Sequence, residues 1–147
     1  MTHIEIIETS NPLYQQERIL RNKVLLQPIG IPDFGWEMKD STATHFVACK
    51  SNKVIGCVLL HPEQEQQERA QLMQMAVDPL WQSKGIGGQL IEELVSYCQI
   101  QGIKEVFCHS RANVVKFYQK LGFTTYGDPF EEVGIFHRKM RLQTANV

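Results

Sequence analysis

The chain contains no apolar run near 18 residues and no charged-then-apolar leader, so neither a membrane span nor a secretion signal is expected, and the cytoplasm is the expected location. It has no block of like charge. A formal net charge of -1 at pH 7 argues against a protein held to nucleic acid by bulk electrostatics. There is no CxxC pair: Cys49, Cys57, Cys98 and Cys108 are scattered through segments that read as strand or helix. They are expected to be buried small hydrophobes rather than disulfides or metal ligands, and no metal is expected. Internal repeats and low-complexity segments are also missing, which excludes solenoids and flexible tails. What remains is ordinary in bulk. With 147 residues, 43% of them hydrophobic and 21% charged, residues 1–147 are expected to form a single domain with a core of its own.

The informative stretch is Gln82 to Leu90, QSKGIGGQL, which sets three glycines at the start of an amphipathic helix. Ile86, Leu90, Ile91, Leu94, Val95 and Cys98 form the apolar stripe of a helix over about 85–101, with Gly102 as its stop. A glycine inside a helix costs about 0.8–1 kcal/mol relative to alanine, so Gly85, Gly87 and Gly88 imply that something there needs bare backbone. Upstream, Gln71 to Val77 reads as a buried strand that Asp78-Pro79 ends. A strand, a short loop and a glycine-rich helix start present unpaired N–H groups and a positive dipole end, which suit a phosphate. A P-loop is ruled out because Lys84 precedes the first glycine and no Ser or Thr follows. A dinucleotide fingerprint would need glycine at Leu90 and a longer chain beyond it.

The remaining elements follow in order. Thr2 to Glu8 is a first strand, and Asn11-Pro12 opens a helix to about Leu25 with Leu13, Glu17, Leu20 and Val24 near one face. Gln27 to Ser41, with Pro28, Gly30, Pro32 and Gly35, is a long loop; Phe34 and Trp36 make it read as a substrate-side wall or lid that could also support a homodimer. Thr44–Lys50 and Val54–His61 form a hairpin through Ser51-Asn52-Lys53, with Gly56 marking a bulge or a close-packing site. After the polar EQEQQERA and the glycine unit come a strand over Lys104–Ser110 and a helix over Ala112–Leu121 that Gly122 stops. Two last strands, Thr124–Tyr126 and Val133–Leu142, are joined by a turn at Gly127-Asp128-Pro129. The pattern predicts a mixed α+β fold with helices on a mostly antiparallel sheet.

Three motifs carry a family resemblance: Gln82-x-x-Gly85-x-Gly87 after an apolar-Val-Asp-Pro strand end, the helix RANVVKFYQKLGF, and the final strand FEEVGIFHRKM. Together with LRNKVLLQPIGIP and His45 they resemble the GNAT-type N-acetyltransferase superfamily over nearly the whole chain, in particular small, mostly bacterial members with a GI-x-H-x-x-M ending. The resemblance implies a twisted sheet of six to seven strands, splayed between strands 4 and 5 and flanked by about four helices. It also implies acetyl-CoA as cosubstrate and an amine acceptor. Met75, Ala76 and Val77 fall where such proteins hydrogen-bond pantetheine, and Gln82, Ser83, Lys84, Gly85, Ile86, Gly87 and Gly88 where they wrap the pyrophosphate. The position of a cofactor-contacting asparagine in many members is here Arg111, and the nearest asparagine is Asn113.

Acetyl transfer from a thioester releases a thiolate whose thiol has a pKa of about 8.5, and a tyrosine of about 10 held within ~3 Å can protonate it. Tyr118 stands at the matching family position. The attacking amine, with a pKa of about 10.4 if lysine-like, must first lose a proton. Among His137, Glu132, Glu37, Asp40 and His45, the first choice of base is His137, because the family counterpart of its strand borders the acceptor site. A backbone N–H around Met75 to Val77 would meet the oxyanion. The expected function is transfer of acetyl from acetyl-CoA to a primary amine of a small molecule or peptide, by direct attack in a ternary complex. Two alternatives stay open: an acyl-CoA-binding sensor without catalysis, which differs only at the acid and base, and a nucleotide-binding oxidoreductase.

Overall fold

The computed structural model describes residues 2–30 and 39–147. Phe34, Trp36 and the candidate base Glu37 lie outside the described residues, as does most of the expected wall. Among the described residues seven strands are hydrogen-bonded in the order β1-β2-β3-β4-β5-β7-β6. They are β1 (His3–Ile7), β2 (Thr44–Lys50), β3 (Lys53–Pro62), β4 (Arg69–Val77), β5 (Glu105–Arg111), β6 (Thr124–Glu132) and β7 (Ile135–Gln143). Neighbours run antiparallel in the pairs β1/β2, β2/β3, β5/β7 and β6/β7, and β4 runs parallel to β5 with Arg69–Gln71 opposite Glu105–Phe107. Three α-helices stand among the described residues, where about four were expected: α1 (Leu13–Arg21), α2 (Ile86–Gln101) and α3 (Val115–Lys120). None is long and apolar enough to cross a membrane. The mixed α+β class and the order of elements match the sequence reading.

By compactness the chain divides into two units, Met1–His61 with Met73–Leu94, and Pro62–Leu72 with Val95–Val147. In the first, the Asn11 side chain accepts a hydrogen bond from the Leu13 N–H at 2.9 Å and so starts α1. The helix widens into a π turn over Asn22–Leu26, tightens to a 3-10 turn at Gln27–Ile29, and ends at Gly30 with φ 70°. Ser51 and Asn52 take φ 51° and 64°, the double left-handed turn that matches the twist of a two-residue hairpin. Ile7, Leu20, Val47, Val54, Cys57 and Ala76 form this unit's core.

That core also holds charge. Glu17, Arg21, Asp40 and His45 are each 3% exposed or less. Arg21 donates to Glu17 at 2.9 Å and to the two oxygens of Asp40 at 2.8 and 3.2 Å. His45 Nδ1 lies 2.9 Å from Glu17, its Nε2 donates to the Asp40 carbonyl at 2.7 Å, and the Tyr14 hydroxyl donates to Asp40 at 2.5 Å. Burial by itself would hold the His45 pKa down, but the Glu17 carboxylate and the Asp40 carbonyl raise it above its ordinary value. Both ring nitrogens are engaged and the Asp40 carboxylate is paired, so neither residue is available as the base for an amine.

The second unit corrects one expectation. Gly127-Asp128-Pro129 is not the last turn: β6 runs through it, with a shift of register against β7 between Tyr126 and Phe130. The turn falls at Val133-Gly134, with φ 50° and 75°, between the opposed residues Glu132 and Ile135. Proline and glycine in the run read as a break because they interrupt the ladder, and a strand irregularity absorbs them just as well. Gly102 and Gly122, with φ 78° and 100°, end α2 and α3 as expected. All four cysteines are free and buried. Burial and the Glu5 carboxylate push the Cys49 thiol up to about 11.

Two outcomes follow from the buried charges. Arg21→Met strands two buried carboxylates and should lower stability by about 3–5 kcal/mol in urea unfolding. Because His45 is protonated more readily folded than unfolded, its contribution is complete below the ordinary histidine range and is lost as pH rises through the raised folded value. The stability gap between wild type and His45→Gln, measured by denaturant titration, should therefore shrink as pH is raised from about 6 to 8.

Candidate functional site

The first unit places the glycine loop directly after β4. Asp78 donates its N–H to the Ile55 carbonyl at 2.8 Å and accepts from the Leu80 N–H at 2.9 Å, which turns the chain through a 3-10 segment at Pro79–Trp81. Ile55 lies at a shift in the register of β2 and β3, where Ala48 faces Gly56 and Cys49 faces Val54. Gln82 reaches back to donate its side-chain amide to the Val77 carbonyl at 3.0 Å. Ser83 and Gly85 take φ 63° and 83°, so the loop coils tightly before α2 begins at Ile86. The first helical bond joins the Gln89 N–H to the Gly85 carbonyl at 3.0 Å, which leaves the preceding N–H groups of the helix start without helical acceptors. Gln82, Ser83, Lys84 and Gly85 are exposed, Gly87 and Gly88 half-buried, and Ile86 is buried beneath them.

Gly56 explains how the helix start is seated. A Cβ at Gly56 would stand 3.0 Å from Ile86 Cγ2 and 3.1 Å from Leu90 Cδ1, so the first turn of α2 rests against bare strand. Met75 and Val77 are half-buried and Ala76 is buried at the end of β4. Midway along that strand Gln74 takes φ 55°, the left-handed region, although it is not glycine.

The second unit carries the candidate acid and bases. Tyr118, on α3, is 6% exposed, with its ring edge-on to Phe117 and Phe123 at 5.1 and 5.4 Å between centroids. Burial, with the nearby Cys108 thiol adding to it, raises the phenol above its ordinary value, so it stays protonated. Among the described residues its hydroxyl has no hydrogen-bond partner. His137 on β7 is 4% exposed, and its Nδ1 donates to the Ile135 carbonyl at 2.7 Å. With Nδ1 as the donor, Nε2 is the nitrogen left to take a proton, the tautomer a base needs. Strand alternation sets His137, opposite Arg111 and Phe130, on the face away from Cys108 and Met140. The structure therefore does not bring Tyr118 and His137 together: Tyr118 lies near Cys108, and His137 points to the other face.

Glu132 is engaged elsewhere, 3.0 Å from His109 Nδ1. His109 carried no argument in the sequence, yet Phe130 stacks edge-on to it at 5.1 Å and lies 5.7 Å from the His137 ring. These three rings and Glu132 form one group on β5, β6 and β7. Asn113 sits exposed on a 3-10 turn at Ala112–Val114 ahead of α3.

Comparison with known proteins identifies the class. The family model described as acetyltransferase (GNAT) domain matches residues 29–144, and the chain belongs to that family. It is similar to GCN5-related N-acetyltransferase 1, chloroplastic, of Arabidopsis thaliana, with 36% identity over 67 residues. That match takes in 46% of this chain and 34% of the plant protein, so the chain spans about a third of that relative's length. Escherichia coli ElaA superposes with a TM-score of 0.83 at 20% identity, over 96% of this chain and 99% of that one. A GNAT family acetyltransferase from Elizabethkingia anophelis, with acetyl-CoA bound, superposes at 0.76 with 19% identity, over 97% of both chains. At these identities the two structures show the shared fold.

The seating of α2 can be tested. Gly56→Val drives a branched side chain into Ile86 and Leu90 and should cost about 1–3 kcal/mol in urea unfolding. Restoring space with Ile86→Ala in the same chain should recover part of that loss, and strict additivity of the two penalties would show that they do not touch.

Proposed function

We propose that residues 1–147 act as one N-acetyltransferase domain that moves an acetyl group from acetyl-CoA to a primary amine of a small molecule or peptide. The observation that carries this reading is the coiled Gln82–Gly88 loop opening α2, in a chain of the GNAT family: its unpaired N–H groups and bare glycines suit a pyrophosphate. The acetyl-CoA bound to the Elizabethkingia neighbour of the same fold supports the choice of guest.

In this mechanism His137 Nε2 takes the proton of the acceptor amine. The amine lone pair then attacks the thioester carbonyl, a backbone N–H of Met75–Val77 stabilises the oxyanion, the C–S bond breaks, Tyr118 gives its proton to the departing thiolate, and the second proton shed by the acylated nitrogen restores the Tyr118 phenol through solvent. Asn113 and the half-buried ends of Met75 and Val77 are the remaining candidate cofactor contacts. Glu132, held by His109, shapes the His137 surroundings rather than taking the proton itself.

Acetyl-CoA at a hundred times its Kd should stabilise the protein by about 2.7 kcal/mol, read as a rise in melting temperature. Tyr118→Phe should keep that rise but lower kcat about 10²-fold or more in thiol-release assays against a panel of primary amines. Wild type without any melting shift would refute acetyl-CoA binding. Unchanged turnover in Tyr118→Phe would remove the tyrosine as acid, and a melting shift without turnover on any amine would favour an acyl-CoA sensor.

A further inference from the structure

Four ionisable side chains fully buried in so small a core are costly, and the proposed chemistry uses none of them. Their geometry leads to one residue. Besides Glu17 and Asp40, the Arg21 guanidinium has a third acceptor: its Nε donates to the side-chain carbonyl oxygen of Gln74 at 3.3 Å. Gln74 is also held from below, where the Cys57 thiol lies 3.5 Å from its main-chain carbonyl. It is the residue of β4 that takes the left-handed conformation, with φ 55° in the middle of a nine-residue strand. Outside a turn, a non-glycine residue keeps such a backbone where its surroundings over-determine it, and strain of this kind collects at working sites.

The consequence falls on the next residues. A single left-handed residue rotates the peptide planes that follow it, so the direction of the N–H and C=O groups of Met75, Ala76 and Val77 depends on how firmly Gln74 is held. Arg21 is well suited to hold it. The guanidinium is planar and its other nitrogen donors are fixed on Glu17 at 2.9 Å and Asp40 at 2.8 and 3.2 Å, so it cannot swing away. We propose that Gln74 is a positioning residue of the transferase, and that Arg21, anchored by Glu17 and Asp40, clamps it so that β4 aims its Met75–Val77 backbone at the acetyl thioester. This rests on the acetyl-CoA reading above and deepens it: the buried charges set the strand that would meet the carbonyl.

Truncating Arg21 would test little, because it strands two carboxylates and threatens folding. Gln74→Met and Gln74→Glu are the useful pair. Methionine matches glutamine in length and removes the acceptor, whereas glutamate retains an acceptor for Arg21. Both variants and wild type are compared by circular dichroism melting, calorimetric titration with acetyl-CoA, and thiol release with the amine that wild type acetylates best. Gln74→Met should lower kcat at least tenfold in a protein that still binds acetyl-CoA by calorimetry, since the pyrophosphate loop is untouched; Gln74→Glu should restore kcat to within about threefold of wild type. A folded Gln74→Met protein with wild-type kcat overturns the clamp while leaving the transferase reading intact, as does a loss of kcat that Gln74→Glu does not restore. Wild type that acetylates no amine overturns both.

Discussion

One guanidinium, held among two carboxylates and an amide, is the constraint on which the first unit of this protein depends. Arg21 is 2% exposed and could not be buried alone; Glu17, one helical turn before it, and Asp40, across from it, make the burial tolerable. Each partner is itself bound further out. Glu17 faces His45 on β2, Asp40 takes the Tyr14 hydroxyl, and Gln74 belongs to β4. A helix, the chain entering β2 and two strands are thus tied through one polar centre inside an apolar core. Such a network is directional where hydrophobic packing is not, so it fixes angles as well as proximity.

Apolar contact works beside it in a simpler way. The glycines that open α2 are exposed or half-buried, but the helix can present them only if its first turn sits close to the sheet. Gly56 permits that approach by leaving room for Ile86 and Leu90, and the Ile55 carbonyl beside it holds the Asp78 N–H. The loop conformation then follows from left-handed residues at Ser83 and Gly85 and from Gln82 reaching back to Val77. The bare helix start is therefore supported from beneath by a strand whose own glycine serves a different purpose.

Much of this was legible from residue order. The stripe from Ile86 to Cys98, the stops at Gly102 and Gly122, the cap at Asn11 and the hairpin at Ser51-Asn52 rest on local periodicity and turn chemistry, and the structure bears them out. The last hairpin was misplaced because Gly127 and Pro129 break a local pattern that long-range pairing with β7 can tolerate. Nothing local in the sequence marks His109, because its partner, Glu132, is distant along the chain and adjacent only across the strands. Signals for the buried charges were present: Glu17 interrupts an apolar stripe four residues before Arg21, and Gln74 interrupts an apolar strand. Read one at a time, each was only a polar residue in an apolar setting.

The sequence by itself determined the elements, their order, the glycine-rich helix start and the family, because these depend on neighbours within a few turns and on motifs of fixed spacing. Tertiary structure alone decided which polar groups lie inside. It turned His45 and Asp40 from candidate bases into occupied partners, put Tyr118 and His137 on opposite faces, and set Gln74 of β4 in the left-handed conformation. Those outcomes depend on strand register and on side chains meeting across tens of residues, and a buried charge is tolerable only where the fold brings its partner to it.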